Sequence, residues 1–274
     1  MGIGLGMLGL GLTSSLVGRQ GGASYSAEAE ALFARFTTPP TESRKALIDT
    51  FITSLKTAGV WTKLDALWVM AAADEQAARQ NWKQDLYNLT AISSPTFTAD
   101  RGFTNNGSTS HLTTGFTPST AGGQWTLDSA HLGVWSRTNA VVAGAVMGGR
   151  TTSTTGQALM TLRSTSDVCT VRINQDGTVS STNTNSSGDF IARRSVAASA
   201  ALYRNGAVVV SGAAVSTTLP AAAIVIGGIN TGGVVTTSNT YELAQASLGA
   251  TLSDAEITAF YNAKLTYLQA VGAA

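Results

Sequence analysis

Two stretches constrain the fold more than anything else in this chain. CTVRINQDGTVSS (169–181) and ALYRNGAVVVSG (201–212) each set two strand-length runs on either side of a two-residue turn signal, Asp176-Gly177 and Asn205-Gly206. A chain that reverses within two residues pairs its strands antiparallel. Other strand candidates keep the same short rhythm: LDALWVMAAA (64–73), AHLGVWSR (130–137), VVAGAVMGG (141–149), ALMTLRS (158–164), AAAIVIGGIN (221–230) and YELAQASLGA (241–250). The Gly-, Asn-, Ser- and Thr-rich segment 97–123 reads as short strands alternating with loops. Many short strands with few long helices predict a mainly β protein, an antiparallel jelly-roll β-sandwich.

Helices are expected only at the two ends and in one short turn at 74–83. Residues 25–36 carry Ser26 as a cap, Glu28 and Glu30 in the first turn, and an apolar edge of Leu32, Phe33 and Phe36. Pro39-Pro40 breaks the chain, and a second helix over about 41–58 repeats Leu47, Ile48, Phe51, Ile52 and Leu55 on one face. That face either packs on the sandwich or meets copies of itself around a symmetry axis. The segment 252–273 is a C-terminal helix with Ser253 and Glu256 spaced as a capping box.

Charged residues make up only 12% of the 274, about half the usual ~25%, while 43% are hydrophobic. Hydroxyls and backbone therefore hydrate the surface, as in a β-rich shell or an assembled particle. A net charge of +1 gives no field that favours nucleic acid or an anionic membrane. Cys169 is the one cysteine, so an intrachain disulfide is excluded.

The chain opens MGIGLGMLGLGL, with glycine at positions 2, 4, 6, 9 and 11. The dozen lacks the positive flank of a signal peptide and falls short of the ~20 residues of a membrane span. Glycine at position 6 also breaks the myristoylation pattern. Ile3, Leu5, Met7, Leu8, Leu10 and Leu12 read instead as the anchoring side chains of an arm that orders inside a partner. No membrane insertion is expected. The organisation is then an arm and linker over 1–24, a helical collar over 25–60, and a sandwich over 61–274.

From about residue 61 to the end, the chain resembles the concanavalin-A-like, laminin-G-like lectin/glucanase domains of tailed-bacteriophage and prophage structural proteins. The resemblance rests on LDALWVMAAADEQAARQNWK, SPTFTADRGFTNNGSTSHLTTGFTP, AHLGVWSR, LYRNGAVV and LSDAEITAFYNAKLTYLQAVGA, in that order. It implies a two-sheet jelly roll, a virion location after assembly in the host cytoplasm, and adhesion to a host surface polysaccharide. It also implies other virion proteins as partners of the arm and a homo-oligomer, a trimer by preference. The fold hosts lectins, glycanases and inert modules, so the ligand does not come with it.

Glycoside hydrolysis uses two carboxylates roughly 5–10 Å apart. The carboxylates between 97 and 250 are Asp100, Asp128, Asp167, Asp176, Asp189 and Glu242, and none forms an E-x-D-x-x-E pair. Asp176 is taken by a turn and Glu242 stands alone on a strand, so the chain is expected not to be an enzyme and to have no catalytic residues. His111 and His131 lack ligand spacing, and Asp100, Asn105 and Asn106 show no calcium-loop pattern, so no metal and no cofactor are expected. GAVMGGR (144–150) and GGINTGG (227–233) lack the Lys-Ser/Thr of a phosphate loop. Sugar binding wants an aromatic platform with fixed hydrogen-bonding groups. Trp125, in the loop GGQWTLD, is the exposed aromatic expected for it, with His111, Asn105 and Asn106 as polar candidates. The function expected is a phage tail-fibre, tail-tip or spike component that adheres to host glycan. The alternatives are a non-adhesive decoration, cementing or minor capsid protein and, less favoured, a glycan depolymerase.

Overall fold

The computed structural model describes Met1 and residues 24–274; the six arm residues Ile3, Leu5, Met7, Leu8, Leu10 and Leu12 lie outside the described residues. In chain order the elements are helices α1 (Ala27–Phe33) and α2 (Glu42–Thr57), strand β1 (Leu64–Val69) and the short helix α3 (Glu75–Ala78). Strands β2 (Thr90–Ile92), β3 (Thr96–Thr98), β4 (Gly102–Thr104), β5 (His111–Thr113) and β6 (Ala130–Ser136) follow. Next come β7 (Met147–Arg150), β8 (Gln157–Ser164), β9 (Val168–Gln175), β10 (Val179–Thr182), β11 (Gly188–Val196), β12 (Ser199–Arg204) and β13 (Ala207–Ala213). The chain closes with β14 (Val225–Ile226), β15 (Gly228–Thr231), β16 (Val234–Ser238), β17 (Glu242–Gly249) and α4 (Asp254–Ala270).

The strands form two sheets. Sheet A runs β13-β12-β11-β6-β17-β4-β3, with β1 also paired to β17. Sheet B runs β10-β9-β8-β7-β14-β5-β2, with β15 added parallel to β7 and paired to β16. Every other described pairing of named strands is antiparallel, and the mainly β sandwich expected from the sequence is the fold found.

Alternation along each strand decides which face is buried. On β11, Phe190 and Ala192 point between the sheets, while Ile191 points out. On β6, Leu132 and Val134 point in and Trp135 points out. The inter-sheet core joins these to Met160, Val171 and Ile173 of sheet B. Arg194 is fully buried there, and its guanidinium donates to the carbonyls of Ile173, Val196, Ala197 and Ala214.

A second apolar cluster covers the outer face of sheet A. Leu32, Ile48, Phe51, Ile52, Leu55, Phe260 and Leu268 from the helices pack there against Leu67, Val69, Trp135, Ile191 and Tyr203 from the strands. The expected boundary at 60/61 therefore runs through one continuous cluster. The apolar face of α2 lies on the sandwich, so it does not form the symmetric neck of the self-associating reading. Ser26 stands at the N-cap of α1 but does not cap it: its N–H and hydroxyl both donate to Asp49 Oδ1 on α2, at 2.8 and 2.5 Å. The Ser253/Glu256 capping box is present.

Candidate functional site

A polar pocket of about 320 Å³ opens where β1 meets two loops, 81–89 and 121–125; its walls include Asp65, Lys83, Gln84, Tyr87 and Gln124. Its anchor is Asp65, a lone carboxylate in the otherwise apolar LDALWV strand. Asp65 accepts the backbone N–H groups of Gln124 (2.6 Å) and Trp125 (2.9 Å), which fastens the second loop to β1. A Cβ at position 123 would lie 2.1 Å from Asp65 Oδ1, so the close approach requires Gly123. Burial pushes the Asp65 carboxyl up, and the two N–H donors oppose that shift.

The first loop is held as firmly. Asn81 Nδ2 donates to the Leu86 carbonyl (2.7 Å), and Trp68 Nε1 donates to the Tyr87 carbonyl (2.8 Å). Tyr87 sits at φ 63°, a conformation that L side chains rarely adopt, and its ring meets Phe116 edge-on at 5.1 Å. Gln84 Nε2 donates to the Asp65 carbonyl (3.0 Å). Lys83 Nζ donates to the Trp61 carbonyl (2.9 Å) and lies 4.9 Å from the Trp61 ring centre. Burial pulls the Lys83 ammonium down, against the pull of the Glu28 and Asp65 carboxylates. The pocket thus presents a phenol ring, two carboxamides and an ammonium on a scaffold fixed before any ligand arrives. Those groups suit a polyhydroxylated ligand of sugar size.

The residues expected to bind sit elsewhere or point elsewhere. Trp125 is 4% exposed; its Nε1 donates to Asn174 Oδ1 (3.0 Å), and its ring packs at 6.2 Å from Phe116. Gln124, its neighbour in the same loop, lines the pocket instead. Asn106 Oδ1 accepts the N–H groups of Ser108, Thr109 and Ser110, which closes the 106–110 turn. His111 is 7% exposed, with Nδ1 on the Thr109 carbonyl (3.0 Å). Asn105 is buried, and a Cβ at Gly227 would lie 2.1 Å from its Nδ2. These three residues are chain neighbours that build a turn and a strand start; none lines the pocket with Gln124.

The carboxylates are engaged one by one. Glu242, expected to stand alone, accepts from Arg101 (3.0 Å) and Arg137 (2.9 Å). Asp100 pairs with Arg44 (2.6 Å), Asp167 with Arg163 (2.7 Å), and Asp189 with Lys264. Asp128 accepts from Ser216 (2.5 Å) and Asp176 from the Gly156 N–H (2.9 Å).

No family model matches the chain, and no curated protein matches it. Solved structures do match. The sialidase of Trypanosoma rangeli, in complex with 2,3-difluoro-KDN, aligns at a TM-score of 0.51 and 12% identity over 81% of this chain and 40% of its own. Domain 4 of AbnA, a GH43 extracellular arabinanase from Geobacillus stearothermophilus, in complex with arabinotriose, aligns at 0.46 and 12% identity over 73% of this chain and 98% of that domain. A K499G mutant of the NanB sialidase from Streptococcus pneumoniae aligns at 0.39 and 16% identity, and the chain spans 23% of its length. At these identities the likeness is one of fold. It also corrects the expectation of a non-enzyme: the T. rangeli protein is a sialidase, so catalytic chains use this fold too. The missing E-x-D-x-x-E spacing excludes one arrangement of carboxylates rather than hydrolysis as such.

Proposed function

We propose that the chain is a glycan-binding β-sandwich protein that displays the Asp65–Gln84–Tyr87–Gln124 pocket on the surface of a phage particle. The observation that carries the reading is the preformed polar pocket beside a fixed tyrosine ring. The ligand complex of one structural neighbour, the T. rangeli sialidase, is in keeping with it. The virion setting follows the sequence resemblance, and the arm over 1–24 is the natural attachment to other virion proteins. A single shallow pocket binds weakly, and many copies on one particle raise the avidity.

The test is saturable binding of the full chain to host cells, competed by their purified surface polysaccharide. Tyr87→Ala and Gln124→Ala should each weaken binding at least ten-fold, while Asn106→Ala, in the other loop cluster, leaves it unchanged. Equal loss from all three variants, or no saturable binding by the folded protein, overturns the reading in favour of a cementing role. The chain length of the polysaccharide after incubation reports in the same experiment whether the bound glycan is also cleaved.

A further inference from the structure

The helices pack on sheet A, and the outer face of sheet B carries two arginines side by side. On β9, Val171 and Ile173 point into the inter-sheet core, so Arg172 points out. On β7, Met147 points in, and the same alternation brings Arg150 out. Between them on β8 stands Gln157, in register with Arg150. Gln157 is 1% exposed, and its Oε1 accepts from Arg172 Nη1 at 2.7 Å. Arg172 Nε and Nη2 both donate to Thr178 Oγ1, at 2.9 and 2.6 Å. Arg150 Nε donates to Thr231 Oγ1 at 2.8 Å. Neutral groups thus hold two guanidiniums on one face, two strand spacings, about 10 Å, apart at the backbone.

Arginines elsewhere in the chain are neutralised or spent on the main chain. Arg101 and Arg137 reach Glu242, and Arg163 reaches Asp167. Arg194 and Arg204 donate to main-chain carbonyls. Among the described residues, Arg150 and Arg172 have no carboxylate within 4.0 Å and no carbonyl acceptor. Burial pulls the Arg172 guanidinium down, the Arg150 charge pulls the same way, and Asp176 opposes both. The Asp176 carboxylate is already engaged by the Gly156 N–H. Two like charges therefore face each other, and an anion set between them relieves the repulsion. The Nη groups of Arg150 have no partner among the described residues, and that fork matches the paired oxygens of a carboxylate or sulfate. We propose that the Arg150–Gln157–Arg172 patch binds the anionic oxygens, carboxylate or sulfate, of an acidic polysaccharide. The anion follows from the two guanidiniums; that a polysaccharide carries it rests on the glycan-binding reading. A net charge of +1 supplies no wider field for a polyphosphate chain. None of the three residues lines the Asp65 pocket, so the two sites are separate.

The test is calorimetric titration of the full chain at low ionic strength with three probes: polygalacturonate for carboxylate, dextran sulfate for sulfate and a single-stranded oligonucleotide for phosphate. The expected result is binding of one of the two polysaccharides that weakens with added salt. It should weaken at least ten-fold in Arg150→Gln and in Arg172→Gln, and less than two-fold in Arg79→Gln, which removes the same charge from the residue that ends α3. Arg150 is tied by one side-chain bond, so Arg150→Gln reads the site even where Arg172→Gln disturbs the sheet; an unchanged melting point shows that each variant is folded. Equal loss in all three arginine variants, tighter binding of the oligonucleotide, or no binding of either polysaccharide overturns the proposal. Host-cell binding that is lost in Tyr87→Ala while neither polysaccharide probe binds leaves the glycan reading standing and overturns this one alone. Polysaccharide binding that needs Arg150 and is untouched by Tyr87→Ala upholds the anion site whatever becomes of the Asp65 pocket.

Discussion

Lys264 of α4 and Asp189 of β11 meet beneath the helix with side chains 0% and 1% exposed. The ammonium also lies 3.9 Å from the Phe260 ring centre. Burial pushes the Asp189 carboxyl up and the Lys264 amine down, while each partner opposes the shift of the other. Lys264→Met strands a buried carboxylate and should cost about 3–5 kcal/mol in urea unfolding. Adding Asp189→Leu should recover most of that loss; a double variant no more stable than the single would show that the pair holds the helix in register. His131 on β6 gives the pH dependence. It is fully buried, its Nδ1 bonds the Ala250 carbonyl (2.6 Å), and burial depresses it to about 4. Lys264 and Lys63 push the same way, while the hydrogen bond to the Ala250 carbonyl and the Glu256 carboxylate oppose them. The unfolded chain takes up the imidazole proton first, so stability is full above pH ~6.5 and falls as the pH drops toward 4, by roughly 3 kcal/mol. His131→Asn should flatten that part of the curve; an unchanged slope would assign it to other groups.

At the scale of elements, the two hairpins that defined the fold turn differently. Asn205 and Gly206 both have positive φ, 50° and 81°, and Arg204 pairs directly with Ala207, so this is the two-residue turn that its sequence demands. Gly206→Val meets no close contact, since Thr258 Cα lies 3.5 Å from the added Cβ, but it forces a branched residue into left-handed backbone. A loss of about 1–2 kcal/mol, seen as a melting point lower by several degrees, is expected. Gly177 has no such conformation and nothing within 4 Å of an added Cβ. Gly177→Ala should therefore leave the melting point level or slightly raised. Asn174, at φ 57°, takes the left-handed position near that turn instead. Strands with apolar runs were legible, as β1, β6, β8 and β17 show. Strand β11 was not, because Asp189, Arg193 and Arg194 break up its apolar run. Each is satisfied by a partner distant in sequence: Lys264 for Asp189, Asp254 for Arg193, and the carbonyls of Ile173 and Ala214 for Arg194. VVAGAVMGG joins the ladder only at Met147, since apolar character alone does not mark where pairing begins. The pocket was hidden for the same reason. Asp65, Gln84, Tyr87 and Gln124 come together only after β1 has gathered two loops, and nothing in the spacing of GGQWTLD says that Gln124 faces out and Trp125 in.

For the molecule as a whole, the helical layer and the sandwich behave as one cooperative body or as two, and the packing decides between these. Phe51 of α2, Trp82 of the pocket-side loop and Tyr267 of α4 form a closed triangle of rings with centres 5.8, 5.5 and 5.4 Å apart. That triangle ties the N-terminal helices, the C-terminal helix and the loop that carries Gln84 and Tyr87 to the same apolar cluster as sheet A. Removing α1 and α2 would uncover Leu67, Val69 and Trp82, an apolar surface that a soluble domain does not leave open. Unfolding followed by the far-ultraviolet helix signal and by near-ultraviolet tryptophan signals should therefore coincide in a single transition. Phe51→Ala should lower both together, by about 3–5 kcal/mol. An early helical phase that leaves the tryptophan signal in place would restore the separable collar read from the sequence. A single transition that moves as one makes the pocket wall depend on a helix that does not touch it, so binding at the proposed glycan pocket should weaken as Phe51→Ala loosens the Trp82 side of the loop.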